Sequence, residues 1–374
     1  MNLWQRLKNN HLALLGIAIL TVLYVIVIAA DFVAPYNPYS SQLDGSLLPP
    51  TPIYLTIQDG PLKGRYIGPH VYPASQSPTN IETGKRNLNI NFHDPSPIRL
   101  FVKGNKYKLL NIRIPLPPSF EEVELFSGIP IDIHLIGTLG TGKLNLLGTD
   151  EQGRDQFSRL LFGGRVSLFI GLLGIMISFP IGIVLGGISG YFGGWIDVVL
   201  MRLVEVLMTI PGIYLLVALA TIIPPSLSNT QRFILIILIT SFIGWSGLAR
   251  VVRGQVLSFK DQEFVQAAKA MGATNKRIIL HHILPQTATY IVISATLTVP
   301  EFIVSESVLS LIGLGIQQPD ASWGNLLSVS TNASILVLQP WLIWPPALAI
   351  ILTVLSFNLL GDGLRDALDP NTFE

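Results

Sequence analysis

Residues 12–30 read Leu-Ala-Leu-Leu-Gly-Ile-Ala-Ile-Leu-Thr-Val-Leu-Tyr-Val-Ile-Val-Ile-Ala-Ala, with no Asp, Glu, Lys or Arg at any position. A helix needs about 20 mainly apolar residues to cross a bilayer, so this stretch reads as a membrane span. It is too long for the apolar core of a secretory signal, and Asp31-Phe32-Val33-Ala34-Pro35 follows it where a small-residue cleavage site would stand. The composition agrees: of 374 residues, 49% are apolar and 13% charged, about half the ~25% charged share of a soluble domain. Mean hydropathy is +0.53. Such a chain is not disordered, collagen-like or disulfide-stapled. A net charge of +1 gives no general attraction for nucleic acid, and the lack of cysteine removes thiolate metal sites and a cysteine nucleophile.

Charge is concentrated in one place. Residues 35–165 hold 24 of the charged side chains (13 basic, 11 acidic), and the other 243 residues hold 23. The pattern predicts an all-α polytopic membrane protein of six transmembrane helices, interrupted by one aqueous insertion. After the first span come expected spans at 167–188, 198–222, 233–249, 288–312 and 341–360, with a turn at Gly190-Tyr191-Phe192-Gly193-Gly194. Basic residues in short loops set orientation. Arg6 and Lys8 precede the first span, Arg250, Arg253, Lys260, Lys269, Lys276 and Arg277 lie between the fourth and fifth, and Arg365 follows the sixth; the opposite short loops offer only Arg232. Both termini and the 250–287 loop are therefore expected in the cytoplasm and the insertion outside.

The expected organisation is a cytoplasmic N-terminus and first span (1–34), an external β-rich insertion (35–147), a surface amphipathic helix (148–165), a five-helix core (166–361) and a cytoplasmic tail (362–374). Within the insertion, 53–57, 131–136 and 143–147 read as strands, and 98–102 with 107–110 as a hairpin turning at Gly104-Asn105. An irregular linker over the membrane is the other reading of this segment. In 148–165, Asp150, Glu151, Arg154, Asp155, Arg159 and Arg165 read as a charged outer-surface helix whose acids and bases form salt bridges.

Residues 258–287 carry the most specific signal. Asp261 is a plausible N-cap for a helix over 262–271, Gly272 a left-handed stop, and Thr274 a cap for a second helix over 275–284, with Pro285 just beyond. Ala267, Ala268 and Ala270 allow close approach of a partner, and Phe264, Val265 and Met271 supply apolar anchors for docking into a groove. Gln266-Ala267-Ala268, Gly272 and Leu284-Pro285 resemble the "EAA" loop of bacterial ABC-importer permeases, with Gln266 where that family usually has Glu. Further blocks narrow the resemblance. Gly148-Thr149-Asp150-Glu151-Gln152-Gly153-Arg154-Asp155, then Ser158-Arg159 and Gly164-Arg165-Val166-Ser167-Leu168, resemble the C-type permease subunit of dipeptide, oligopeptide and nickel importers. So do Gly190–Asp197, Met201-Arg202, Ile210-Pro211, Leu309–Gly315, Pro319 and Ser322-Trp323-Gly324.

The resemblance implies a permease subunit of an ATP-driven importer in the bacterial inner membrane, moving di- or oligopeptides, or alternatively nickel or another small solute. It implies pairing with a second, homologous permease subunit, two cytoplasmic ATPases that use ATP and magnesium, and an external solute-binding protein. The chain shows no phosphate loop of its own, so no enzyme activity, metal or cofactor is expected on it. A stand-alone secondary transporter is the competing class, but no internal repeat of the spans is visible. The resemblance gives Glu263, Phe264, Gln266, Ala267, Ala268, Met271 and Gly272 an ATPase-coupling role. His281-His282 point to different helix faces and suit an interfacial structural role better than a shared metal. Four intramembrane charges are candidates for the path or its gate. Arg202 and Glu205, three apart, read as a structural ion pair or a gate element. Glu301 lies about 20 Å along the fifth span, counted at 1.5 Å per residue, next to the kink-prone Pro300; it lines the substrate path or is a hydrogen-bonded packing residue. Glu306 lies nearer the outer mouth.

Overall fold

Long apolar runs fold as helices because each backbone polar group then finds its partner within the segment. The computed structural model describes residues 3–77, 86–109, 112–116, 121–224 and 226–368. Its helices are α1 (Leu3–Asn9), α2 (His11–Ile28), α3 (Ala30–Val33), α4 (Gln156–Phe192), α5 (Gly194–Thr209), α6 (Gly212–Ala220), α7 (Asn229–Phe259), α8 (Glu263–Ala270), α9 (Asn275–Arg277), α10 (Ala288–Leu311), α11 (Trp323–Leu327), α12 (Ala333–Leu338) and α13 (Trp344–Leu368). Among the described residues five helices are long and apolar enough to cross a membrane, and α5 with α6 makes a sixth if that bent pair is one span.

Four expectations about the helices need correction. The surface helix over 148–165 does not exist as a separate element. Residues 148–155 form a loop with a turn at Glu151-Gln152 and isolated bridges of Thr149 to Asp155 and of Arg154 to Ser41, and the rest is the first part of the 37-residue α4. The expected third span is broken: α5 and α6 meet at 86°. Ile210 is extended, with ψ 125°, and Pro211 follows it; a proline disfavours the α conformation in the residue before it. The second helix of the 258–287 loop does not end at Pro285. Its π-turns (Ile278–Ile283) and a 3₁₀ turn (Leu284–Thr287) carry the chain directly into α10, so the ring is absorbed by a change of helical pitch. The α7 start lies earlier than expected because Ser228 and Gln231 form a reciprocal capping box.

The chain divides into two compact units. The first comprises Met1–Thr21, Leu168–Leu309 and Ile351–Glu374. Its main core joins Phe179 of α4 and Leu248, Val252 and Val256 of α7 to Val265, Ala268, Ile278 and Ile283 of the loop. Along α4, a Cβ at Gly182, Gly186 or Gly190 would come within 2.9, 2.4 or 2.8 Å of the carbonyl oxygens of Trp245, Ala249 and Arg253. Both sets are spaced by four, so the two backbones run against each other along one seam.

The second unit comprises Val22–Ser167 and Ser310–Ile350. Here β1 (Tyr54–Thr56), β2 (Tyr66–Val71), β5 (Ser96–Leu109) and β8 (Ile129–Thr138) form an antiparallel sheet in the order β1-β2-β5-β8. Strands β3 (Ala74–Gln76) with β4 (Leu88–Ile90), and β6 (Ile112–Leu116) with β7 (Glu121–Phe126), form two smaller ribbons. Strands at 54–56 and within 129–138 agree with the sequence reading. The expected hairpin at Gly104-Asn105 is instead an irregularity inside the single strand β5, between Lys103 and Tyr107. His134 of β8 fills the place opposite: its Nε2 lies 3.1 Å from the Asn105 carbonyl oxygen, and a Cβ on Gly104 would meet its ring at 2.5 Å. Leu110, the expected end of that hairpin, lies outside the described residues, as do 369–374 of the tail. Residues 143–147 form no strand, because their backbone bonds are diverted. Leu144 N donates to the Tyr36 hydroxyl (2.7 Å) and Asn145 N to Thr51 Oγ1 (3.0 Å).

The charges of 148–165 are mostly buried, contrary to the surface-helix expectation. Arg154 Nε and Nη2 lie 2.7 and 2.6 Å from Asp150 Oδ2, and Arg159 Nε lies 3.4 Å from it. Both guanidiniums also donate to Gln318 Oε1, at 2.5 and 2.9 Å. Asp150 Oδ1 accepts from the backbone of Gln152 and Arg154, each at 2.9 Å. The expected salt bridges are thus present, but in an interior. Arg165 pairs with Asp31 at 2.6 Å, and Glu151 is exposed.

Asp155 stands at the start of α4, where its Oδ2 accepts from Ser158 N and Oγ, both at 2.7 Å, while Oδ1 is buried without a partner among the described residues. Burial pushes this carboxyl up to about 7, against the opposing pull of the Ser158 donors. The folded state therefore holds a proton that the unfolded state has released between about pH 4 and pH 7, and stability falls as pH rises through that window. Asp155→Asn keeps the cap acceptor and cannot ionise. We expect the thermal midpoint of the purified protein in detergent to fall by a few degrees between pH 5.5 and 7.5, and this fall to shrink in Asp155→Asn. An unchanged pH dependence would remove Asp155 as its source.

Candidate functional site

The 258–287 loop is held firmly at its base. Arg253 of α7 makes a bidentate pair with Asp197 of α5, Nε to Oδ1 at 2.5 Å and Nη2 to Oδ2 at 2.6 Å, and Ser189 of α4 donates to the same carboxylate. Such forked pairs fix orientation as well as distance. From this base α8 starts at Glu263, and the residue at its N-cap position, Gln262, is extended (ψ 155°) and makes no side-chain cap bond. Asp261 is therefore not the cap that the sequence predicts, and α8 is one residue shorter at each end than 262–271. Gly272 has φ +79° with open space where a Cβ would stand, which is the left-handed helix stop expected of it. Thr274 accepts from Arg277 N at 3.4 Å, also as expected.

The two faces of α8 differ. Val265 and Ala268 are 0% and 1% exposed and pack on the unit's own core. The sequence reading puts Ala268 on the docking face; the structure turns it inward, because it lies three residues from Val265 on the same side of the helix. The outer face carries Phe264, Ala267 and Met271, at i, i+3 and i+7, with Met271 80% exposed. Glu263 and Gln266 are exposed beside them, and Gln266 Nε2 donates to the Lys260 carbonyl at 3.4 Å. Lys269 Nζ sits 5.7 Å from the centre of the Tyr191 ring, and Tyr191 donates to Asn275 Oδ1 at 2.9 Å. Sequence reasoning missed Tyr191, Asp197 and Arg253 as the supports of this loop. Their separation along the chain hides the contacts. His281 is exposed and His282 half-buried.

The intramembrane candidates separate clearly. Arg202 Nη1 and Glu205 Oε2 are 3.0 Å apart on the exposed side of α5. Glu306 is 0% exposed, packed and partnered within the chain. It faces the protein interior. Glu301 is exposed and borders a pocket of about 240 Å³ lined by Gly212, Ile213, Leu216, Thr240, Ile243, Gly244, Thr298, Phe302 and Ser305.

Comparison with known proteins gives two family matches. Residues 182–374 match the family described as binding-protein-dependent transport system inner membrane component. Residues 2–50 match the N-terminal TM domain of oligopeptide transport permease C. The chain is 46% identical to the dipeptide transport system permease protein DppC of Bacillus subtilis, over 60% of this chain and 68% of that protein. It is 45% identical to the oligopeptide transport system permease protein OppC of Haemophilus influenzae, over 60% and 70%. Among solved structures, an inward-facing conformation of the MetNI methionine ABC transporter aligns with a TM-score of 0.40 at 20% identity, covering 57% of this chain and 94% of that one.

Proposed function

Because the chain belongs to the family of binding-protein-dependent transport system inner membrane components, as a C-type permease subunit of an ATP-driven importer, we propose that it forms half of a translocation pathway for di- or oligopeptides. The observation that carries the coupling part of this reading is the two-faced α8. One face is sealed into the permease core, and the other offers Phe264, Ala267 and Met271 outward. That is the arrangement needed to dock in a groove on a separate ATPase and pass its movement to α7 and α10. ATP and magnesium then belong to two cytoplasmic ATPases, a second homologous permease completes the pathway, and an external binding protein delivers the peptide. Glu301 lines the path. Arg202 and Glu205, paired with each other, brace α5.

The functional test is reconstitution of the chain with its second permease, ATPases and binding protein in vesicles. ATP-dependent uptake of a labelled tripeptide is expected, and uptake by the chain alone would sink the reading in favour of a stand-alone transporter. The topology has its own check. The α8 loop and both termini are assigned to the cytoplasm and residues 35–147 to the outside. Single cysteines at Asn105 and Asn275 of this cysteine-free chain should react with an impermeant maleimide from opposite sides of the membrane. Reaction of both from outside would overturn the orientation.

A further inference from the structure

Glu301 lies in the middle of α10, about 20 Å from Ala288 at 1.5 Å per residue, and it has no hydrogen bond or ion pair among the described residues. An ionisable group at such depth is costly unless something pairs with it. The pocket beside it narrows what that partner is. Among the described residues no basic side chain lines it, so an anionic group would meet repulsion from Glu301. The other polar lining groups, Thr240, Thr298 and Ser305, are hydroxyls. Thr240 already donates its proton to the carbonyls of Ile236 and Ile237 (2.7 and 3.0 Å), which leaves its oxygen as an acceptor. A carboxylate with acceptor oxygens around it suits an ammonium, which has three donors and no acceptor. The remaining walls are apolar, from Ile213, Leu216, Ile243 and the ring of Phe302, and they suit the carbon atoms next to the charge. A pocket of about 240 Å³ holds one terminal residue and not a whole ligand of drug size.

We propose that Glu301 and the pocket between α6, α7 and α10 receive the protonated α-amino group of the transported peptide, an assignment that rests on the peptide reading above. The experiment uses the assembled importer with binding protein omitted, so that the binding protein's selectivity does not enter. Dicyclohexylcarbodiimide, which attacks carboxyl groups in apolar surroundings, is followed at Glu301 by mass spectrometry. Millimolar trialanine is expected to slow modification severalfold, and N-acetyltrialanine to leave it unchanged. Glu301→Gln should assemble with its partners, show no modification at this position and lose most trialanine uptake when binding protein is restored. Equal slowing by both peptides, or by neither, overturns the proposal. Equal slowing by methylammonium or potassium overturns it in favour of a simple cation site, and a Glu301 that never reacts overturns it in favour of a carboxylate covered by the second permease. Failure of the unmodified importer to take up trialanine would count against the peptide reading itself, whatever the labelling shows.

Discussion

A permease carrying Ala267→Trp is expected to insert normally and to lose most of its co-purifying ATPase and of its binding-protein-stimulated ATP hydrolysis. Ala267 lies at the centre of the outward face of α8, between Phe264 and Met271. An indole there stands off the whole surface that a partner groove would cover. The side chain points away from the core, so stability of the permease itself should barely change. Ala268→Trp makes the contrast. It drives the same ring into the space among Val252, Val265 and Ile283, where overpacking costs typically ~1–3 kcal/mol or more, and the expected loss is of folded protein. Gly272→Val adds a β-branched side chain at φ +79°, costs roughly 1 kcal/mol or more, and re-aims α8 relative to α9. Pull-down of the ATPases and hydrolysis in vesicles separate these outcomes. Full complex formation and full transport by Ala267→Trp would remove α8 as the docking element.

The largest expected effect on stability is at Asp150. Arg154 and Arg159, with side chains 6% and 0% exposed, lie against its Oδ2. Asp150→Ala leaves two buried guanidiniums without that carboxylate and removes the acceptor for the Gln152 and Arg154 amides. Removing one partner of a buried charge cluster costs about 3–5 kcal/mol, so a fall of roughly 10 °C in the thermal midpoint is expected. Asp150→Asn retains an acceptor for the two amides and should lose less. Thermal scanning in detergent with size-exclusion readout checks both. A midpoint for Asp150→Ala equal to that of the unaltered chain would mean that the cluster is not held by this carboxylate.

The parts of the fold that sequence reasoning reached are those governed by local chemistry. Residues 12–30 are apolar at nearly every position, Gly272 and Thr274 are recognisable stops and caps, and 131–136 has β-forming composition. The misreadings share a physical cause, a distant partner overriding a local signal. Gly104-Asn105 has the residues of a tight turn, but His134 on a strand 29 residues away claims the Asn105 carbonyl. Asp150, Arg154 and Arg159 look like a solvated face until Gln318 and the Pro319 carbonyl are brought to them. Ala268 and Ala267 are indistinguishable in sequence; only the packing of Val265 decides which turns inward. Glu301 and Glu306 differ in the same way. One is exposed beside a pocket and the other is enclosed, and the four residues between them, Phe302-Ile303-Val304-Ser305, give no hint of it.

The glycine seam between α4 and α7 has a mechanical consequence. Where two helices touch through side chains, each can yield by changing rotamers. At Gly182, Gly186 and Gly190 the α4 backbone lies directly on the carbonyls of α7, and nothing at the contact can rotate away. Close backbone contact of this kind tolerates little sliding. The seam runs over nine residues of each helix, about 12 Å, and its last contact, at Arg253, is the residue clamped to Asp197 at the base of the loop. If α8 is pushed by a docked partner, as proposed above, the two helices are expected to move together and not to bend separately.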